Sequence, residues 1–241
     1  MALEPDVSFP ISAASQEQID ASRFAAITGL ADDIAHELKN PLHAMVINLE
    51  VLKRRVEKGA KEAALERAVV LEHEVHRLHV LLESLLRILR PNRDLEGPAN
   101  VSQILDEVRP LLELRARLAR VEYSQDGAST ESYTSARADL VRFALLLVGE
   151  VVLEAARAAG GNLRLTVDAL EEEIHLRFGC TNGDSAIHEL AVAPPSPGPL
   201  RGLPAAAALL QSSGGVVELE DRTRIEPGVT VLIRVPRSSF I

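Results

Sequence analysis

Tryptophan is absent from this chain of 241 residues, and aromatic side chains make up only 3% of it. Any core must therefore be built from Leu, Val, Ile and Ala, a composition that favours helices. A single cysteine, Cys180, excludes an internal disulfide, and no Cys-x-x-Cys pair is present to hold structural zinc. That usage fits a reducing compartment. Basic side chains are also in short supply, 26 Lys and Arg against 35 Asp and Glu, for a formal charge of −9. A chain this acidic lacks the broad positive surface that sequence-independent nucleic-acid binding needs. Long apolar runs are missing too. The richest, Leu140 to Val152, is interrupted by Arg142 and Glu150, too short and too charged to span a membrane. The opening MALEPDVSFPISAASQEQID carries acids and prolines where a signal peptide has a positive region and an apolar run. The expectation is a soluble, cytoplasmic protein with no nucleic-acid and no membrane partner.

What is present is periodicity. After a lead over 1–16 that reads as disordered, Ile27, Leu30, Ile34, Leu38, Leu42, Met45, Leu49 and Leu52 recur at steps of three and four. Lys53, Arg54, Arg55 and Lys58 then supply late-helix positive charge, and Gly59 a stop. Leu65, Ala68, Leu71, Val75, Leu78, Leu82, Leu85 and Leu89 repeat the pattern until Pro91. Two long helices joined by a few residues run antiparallel. A lone hairpin cannot cover so wide an apolar face, whereas two copies can, as a four-helix bundle; a homodimer is expected over 17–92.

Pro91 to Pro98 reads as a linker. Beyond it the texture changes, with helical stretches at Val101 to Leu118 and Ala136 to Ala159. Strand-like alternation follows at Leu163–Val167, Ile174–Phe178, Val216–Leu219 and Val229–Val235. A Pro-rich loop at 193–199 and a small Ala-rich helix near Pro204 to Leu210 lie between the strands. The fold class is α+β: a helical hairpin, then helices layered on a mixed sheet over 101–241.

The segment with chemistry is Ile34-Ala35-His36-Glu37-Leu38-Lys39-Asn40-Pro41-Leu42. His36 lies off the apolar stripe, and Asp32, Asn40 and His43 share its face of the helix. A solvent-facing neutral imidazole beside an acid and an amide can act as a nucleophile toward phosphorus. Pro41 removes a backbone N–H just after His36 and loosens that turn. A bland alternative is a solvated helix face with a proline. Zinc hydrolysis, which needs His-Glu-x-x-His, fails because the fifth position is Asn40. His73, His76 and His79, spaced by three, drift around their helix and read as a solvated or dimer-facing strip.

The segment resembles the phosphoacceptor box of two-component sensor histidine kinases, His-Glu-(Leu/Ile)-(Arg/Lys)-(Asn/Thr)-Pro-Leu. Gly29 to Ala35 resembles its lead-in, and Glu74-Val75-His76-Arg77-Leu78, Leu85-Leu86 and Arg90-Pro91 resemble the family's second helix. The likeness spans about Phe24 to Pro91. It implies that His36 is the phosphorylated residue, that Glu37 is the acid–base helper, and that Asn40 orients water when a response regulator is dephosphorylated. By the same resemblance, regulator choice would reside in helix-one side chains such as Val46, Glu50 and Lys53.

The second half is similar in layout to the family's ATP-binding domain but departs from it at the nucleotide positions. The two Asn residues that hold Mg²⁺ and phosphates correspond to Leu147 and Val151, with Glu150 next to the second. The adenine-reading Asp-x-Gly-x-Gly loop corresponds to Thr181-Asn182-Gly183-Asp184-Ser185. The later phosphate-binding glycines survive only as Arg201-Gly202-Leu203-Pro204, and Pro204 has no N–H to donate. The resemblance with these departures implies a degenerate kinase-ATPase-like sandwich. The expected function is a histidine phosphotransferase of a phosphorelay, with His36 exchanging phosphoryl groups with response-regulator receiver domains. No cofactor or metal is expected on this chain, the Mg²⁺ being the regulator's. Three alternatives stand beside it: a divergent ATP-dependent kinase using Glu150, a response-regulator phosphatase, and a binding pseudokinase.

Overall fold

A computed structural model describes residues 8–10, 16–89, 97–127, 132–181, 202–221 and 228–238. The chain divides into two compact units, Ile27–Leu89 and Met1–Ala26 with Arg90–Ile241. The linker read at 91–98 lies outside the described residues, save Gly97 and Pro98.

The first unit holds most of α1 (Gln16–Glu57) and all of α2 (Lys61–Leu89). Arg54 and Arg55 occupy the last turn of α1, where cations complement the helix dipole. Gly59 closes it at φ +67°, a left-handed conformation that a side chain resists, with the Ala60 N–H donating to the Arg55 carbonyl. Two cross-helix pairs fix the antiparallel register: Arg77 with Glu37, and Arg67 with Asn48. Ile34, Pro41, Ala64, Leu81 and Ser84 are buried between the helices. Much of the apolar stripe is not. Leu42, Val46, Leu49, Val56, Leu65, Val75 and Leu82 are all exposed. A cleft of about 310 Å³ near the turn is lined by Leu52, Val56, Ala64, Leu65 and Ala68. Two helices can cover only part of so wide a stripe.

The second unit is a six-stranded sheet with helices on one face. Its strands are β1 (Ser8–Pro10), β3 (Tyr123–Asp126), β5 (Leu163–Ala169), β6 (Glu173–Thr181), β7 (Val216–Asp221) and β8 (Gly228–Pro236), in the order β1-β7-β8-β6-β5-β3. Among the described residues, only β3 and β5 pair in parallel. A separate ribbon joins β2 (Ala99–Asn100) to β4 (Tyr133–Thr134). The helices are α3 (Val101–Ala119), α4 (Ala138–Ala159) and α5 (Gly202–Gln211). Alternation along β6 sends Ile174, Leu176, Phe178 and Cys180 into the core and leaves His175 and Arg177 half-buried on the other face. There the charges satisfy one another: Arg177 with Asp168 and Glu220, Arg234 with Glu173 and Glu218. α4 is buried nearly all round, because α3, α5 and the sheet pack against it.

The expectation of a disordered lead over 1–16 is corrected at Ser8–Pro10, which pair antiparallel with Glu218–Glu220 of β7. A proline ends this strand, and the strand lies at the sheet edge, where the missing N–H breaks no ladder. No helix among the described residues is long and apolar enough to cross a membrane.

Candidate functional site

Positions 36, 40 and 43 of a helix stand at nearly the same angle about its axis, so His36, Asn40 and His43 form one strip along α1. All three are exposed. Asp32 is part of α1, but its side chain lies outside the described residues. Glu37 is turned by one residue, about 100°, toward α2. Its side chain is only 10% exposed and accepts a hydrogen bond from Arg77 Nη2 at 2.8 Å. Two of the three predicted residues thus face solvent on one strip, and the third is tucked against the second helix.

Pro41 is buried within α1, which continues through it to Glu57. An α-helix bonds each N–H to the carbonyl four residues earlier, so the proline removes the donor that would meet the Glu37 carbonyl. The turn bearing the imidazole therefore lacks one backbone hydrogen bond. His73, His76 and His79 are exposed on α2, and no group of three or more His, Cys, Asp or Glu among the described residues is placed to hold a metal ion.

In the second unit, the positions aligned with the two metal-holding Asn residues are closed by protein. Leu147 and Val151 are 4% and 1% exposed. The first residue of α5, Gly202, sits directly on them: a Cβ there would lie 2.7 Å from the Leu147 carbonyl oxygen and 2.8 Å from Val151 Cγ2. Glu150, the remaining candidate oxygen ligand, is held on α4 by Nε and Nη2 of Arg115 from α3. Leu203 is buried and Pro204 half-buried at the start of α5. Thr181 ends β6, and Asn182, Gly183, Asp184, Ser185 and the Pro-rich loop lie outside the described residues.

Against known proteins, residues 26–93 match the His Kinase A (phospho-acceptor) domain. The helical hairpin is a phospho-acceptor domain of the two-component histidine kinase family. Among curated relatives of this family, Sporulation kinase D of Bacillus subtilis (strain 168) is 22% identical over 232 residues, covering 91% of this chain and 44% of the relative. The chain thus spans under half the length of that kinase. The solved structure of full-length ShkA in complex with AMPPNP has a TM-score of 0.49 and 19% identity, covering 74% of this chain and 40% of its own. The Acinetobacter baumannii histidine kinase AdeS has a TM-score of 0.47 and 17% identity, covering 85% of this chain and 98% of its own. The family likeness is carried by the hairpin, over residues 26–93.

The sequence did not anticipate the Arg77 partner of Glu37, forty residues away. The only signal available was the antiparallel register, which sets positions near 37 and 77 opposite each other. Nor did it show that Glu150 would be held by Arg115.

Proposed function

We propose that this chain is a phosphorelay histidine phosphotransferase, with His36 as phosphoacceptor and no ATP used by the chain itself. The observation that carries the proposal is the closure of α5 over Leu147 and Val151 in a chain whose phosphoacceptor turn is intact. Mg²⁺-ATP chemistry needs an oxygen-coordinated metal and donors around the phosphates. Here the aligned side chains are apolar and buried, and the neighbouring carboxylate is taken by Arg115.

The transfer balances without a nucleotide. A ring nitrogen of neutral His36 attacks the phosphorus of a regulator's aspartyl phosphate. The acyl P–O bond breaks, the aspartate carboxylate leaves, and an N–P bond forms. The ring gains positive charge, which a nearby carboxylate stabilises, or relieves by taking the N–H proton. Glu37 is the carboxylate in this role. The Mg²⁺ belongs to the receiver domain, and the reverse reaction charges a second regulator. The exposed leucines and valines of α1 and α2 are the surface on which a second copy completes a four-helix bundle. Mass measurement in solution returning a monomer would count against that bundle.

The test is relay between two purified receiver domains. The wild-type chain passes acid-labile phosphate between them, and His36→Ala does not. Relay surviving in His36→Ala ends the proposal. A second reading, an ATP-dependent kinase, is favoured by the match of 91% of this chain to a protein named as a kinase. Labelling of His36 by Mg²⁺-ATP alone would establish it. In either case Asn40, exposed one turn from His36, orients water for regulator dephosphorylation. Asn40→Ala then spares transfer while abolishing that hydrolysis.

A further inference from the structure

The carboxylate next to the phosphoacceptor is held from the other helix. Glu37 is nearly buried, and burying a polar group is costly unless it is hydrogen-bonded. Arg77 supplies a charge-assisted hydrogen bond at 2.8 Å, while its own side chain is 40% exposed. Three residues earlier on α2, Glu74 carries a buried Oε2 with no hydrogen-bond partner among the described residues. Arg77 is bonded across the hairpin to Glu37, the residue that follows His36 in the chain. A second cross-helix pair, Arg67 Nη1 to Asn48 Oδ1 at 3.3 Å, lies three turns away along α1.

We infer that Arg77 is a positioning residue for phosphoryl transfer at His36, keeping the Glu37 carboxylate in one place against the turn that bears the imidazole. The inference rests on His36 being the phosphoacceptor. Its physical basis is preorganisation: a carboxylate fixed before the ring acquires charge loses no free energy to reorientation during the reaction. The proline that deprives the Glu37 carbonyl of its helical donor makes a second restraint on this residue more valuable, because the backbone holds it less firmly.

The test uses the full chain and potassium phosphoramidate as donor. A ring nitrogen attacks phosphorus, the P–N bond breaks, ammonia leaves, and the ring proton passes to solvent by way of the carboxylate. Site-resolved mass spectrometry reads the rate at His36 relative to His43, an exposed imidazole on the same face of α1. This ratio is an internal standard that a general loss of stability does not lower selectively. Arg77→Met is expected to reduce the ratio about tenfold, and Arg77→Lys to restore most of it. In a Glu37→Gln background, adding Arg77→Met should change nothing, because the arginine acts through that carboxylate. An unchanged ratio in Arg77→Met, or a further fall in the Glu37→Gln background, overturns the inference. If Arg77→Met does not fold, Arg77→Gln takes its place in both comparisons and is read by the same criteria. Failure of the wild-type chain to label His36 faster than His43 would instead sink the phosphoacceptor reading itself.

Discussion

Val151→Asn returns to α4 the residue type that the resembled nucleotide site carries, and its consequence depends on what lies over position 151. Val151 is 1% exposed, and its Cγ2 faces the backbone of Gly202. The substitution forfeits the burial of an aliphatic side chain, worth about 1.5–3 kcal/mol. It also places an amide where no water reaches, and an unsatisfied buried polar group costs about 1–3 kcal/mol. A loss of about 3–5 kcal/mol is a large part of the total stability of a domain. For a unit of this size it should lower the melting temperature on the order of 10 °C. Both tyrosines of the chain, Tyr123 and Tyr133, belong to the second unit, so their fluorescence follows its unfolding without interference from the hairpin. Calorimetry with Mg²⁺-ATP on the same variant should give no binding heat. A variant that melts where the wild type does, and gains nucleotide affinity, would refute the argument that α5 occupies the site.

The buried ion pair between Glu107 of α3 and Arg142 of α4 makes a second prediction. Glu107→Leu leaves that guanidinium without its carboxylate and should cost about 3–5 kcal/mol, whereas Glu107→Leu with Arg142→Met should recover most of the loss in urea titration. Burial holds the Tyr123 hydroxyl well above the ordinary phenol range, outweighing the lowering by Arg109. The folded state therefore keeps this proton after the unfolded chain has released it. Stability is complete below the ordinary phenol pKa of about 10 and falls as pH rises beyond it. Alkaline denaturation of Tyr123→Phe should show a shallower pH slope; an unchanged slope would contradict the assignment.

The hairpin was legible because its stripe keeps one period over two long segments, and Gly59 marks the turn with the conformation it alone tolerates well. The exposure of His36 followed from its offset from Ile34 and Leu38, since a helix turns that offset into a direction. The strands at 163–167, 174–178, 216–219 and 229–235 announced themselves by alternation. β1, β3 and the β2–β4 ribbon did not. Tyr123–Asp126 carries only one strongly apolar side chain and is defined by its parallel pairing with β5, a relation between distant segments. Ser8–Pro10 is three residues long and owes its strand to the free edge of β7. The same limit applies at the site. The residue types at 37, 147 and 151 were legible, but Arg77 over Glu37, Arg115 on Glu150 and Gly202 against Leu147 are tertiary contacts with no local signature.

Incubation of the purified chain with γ-phosphate-labelled ATP and Mg²⁺ bears most directly on the central claim. The account predicts that no acid-labile phosphate accumulates on His36 from the nucleotide, while a phosphorylated receiver domain labels the same residue. Label reaching His36 from ATP in the absence of any other protein would contradict it.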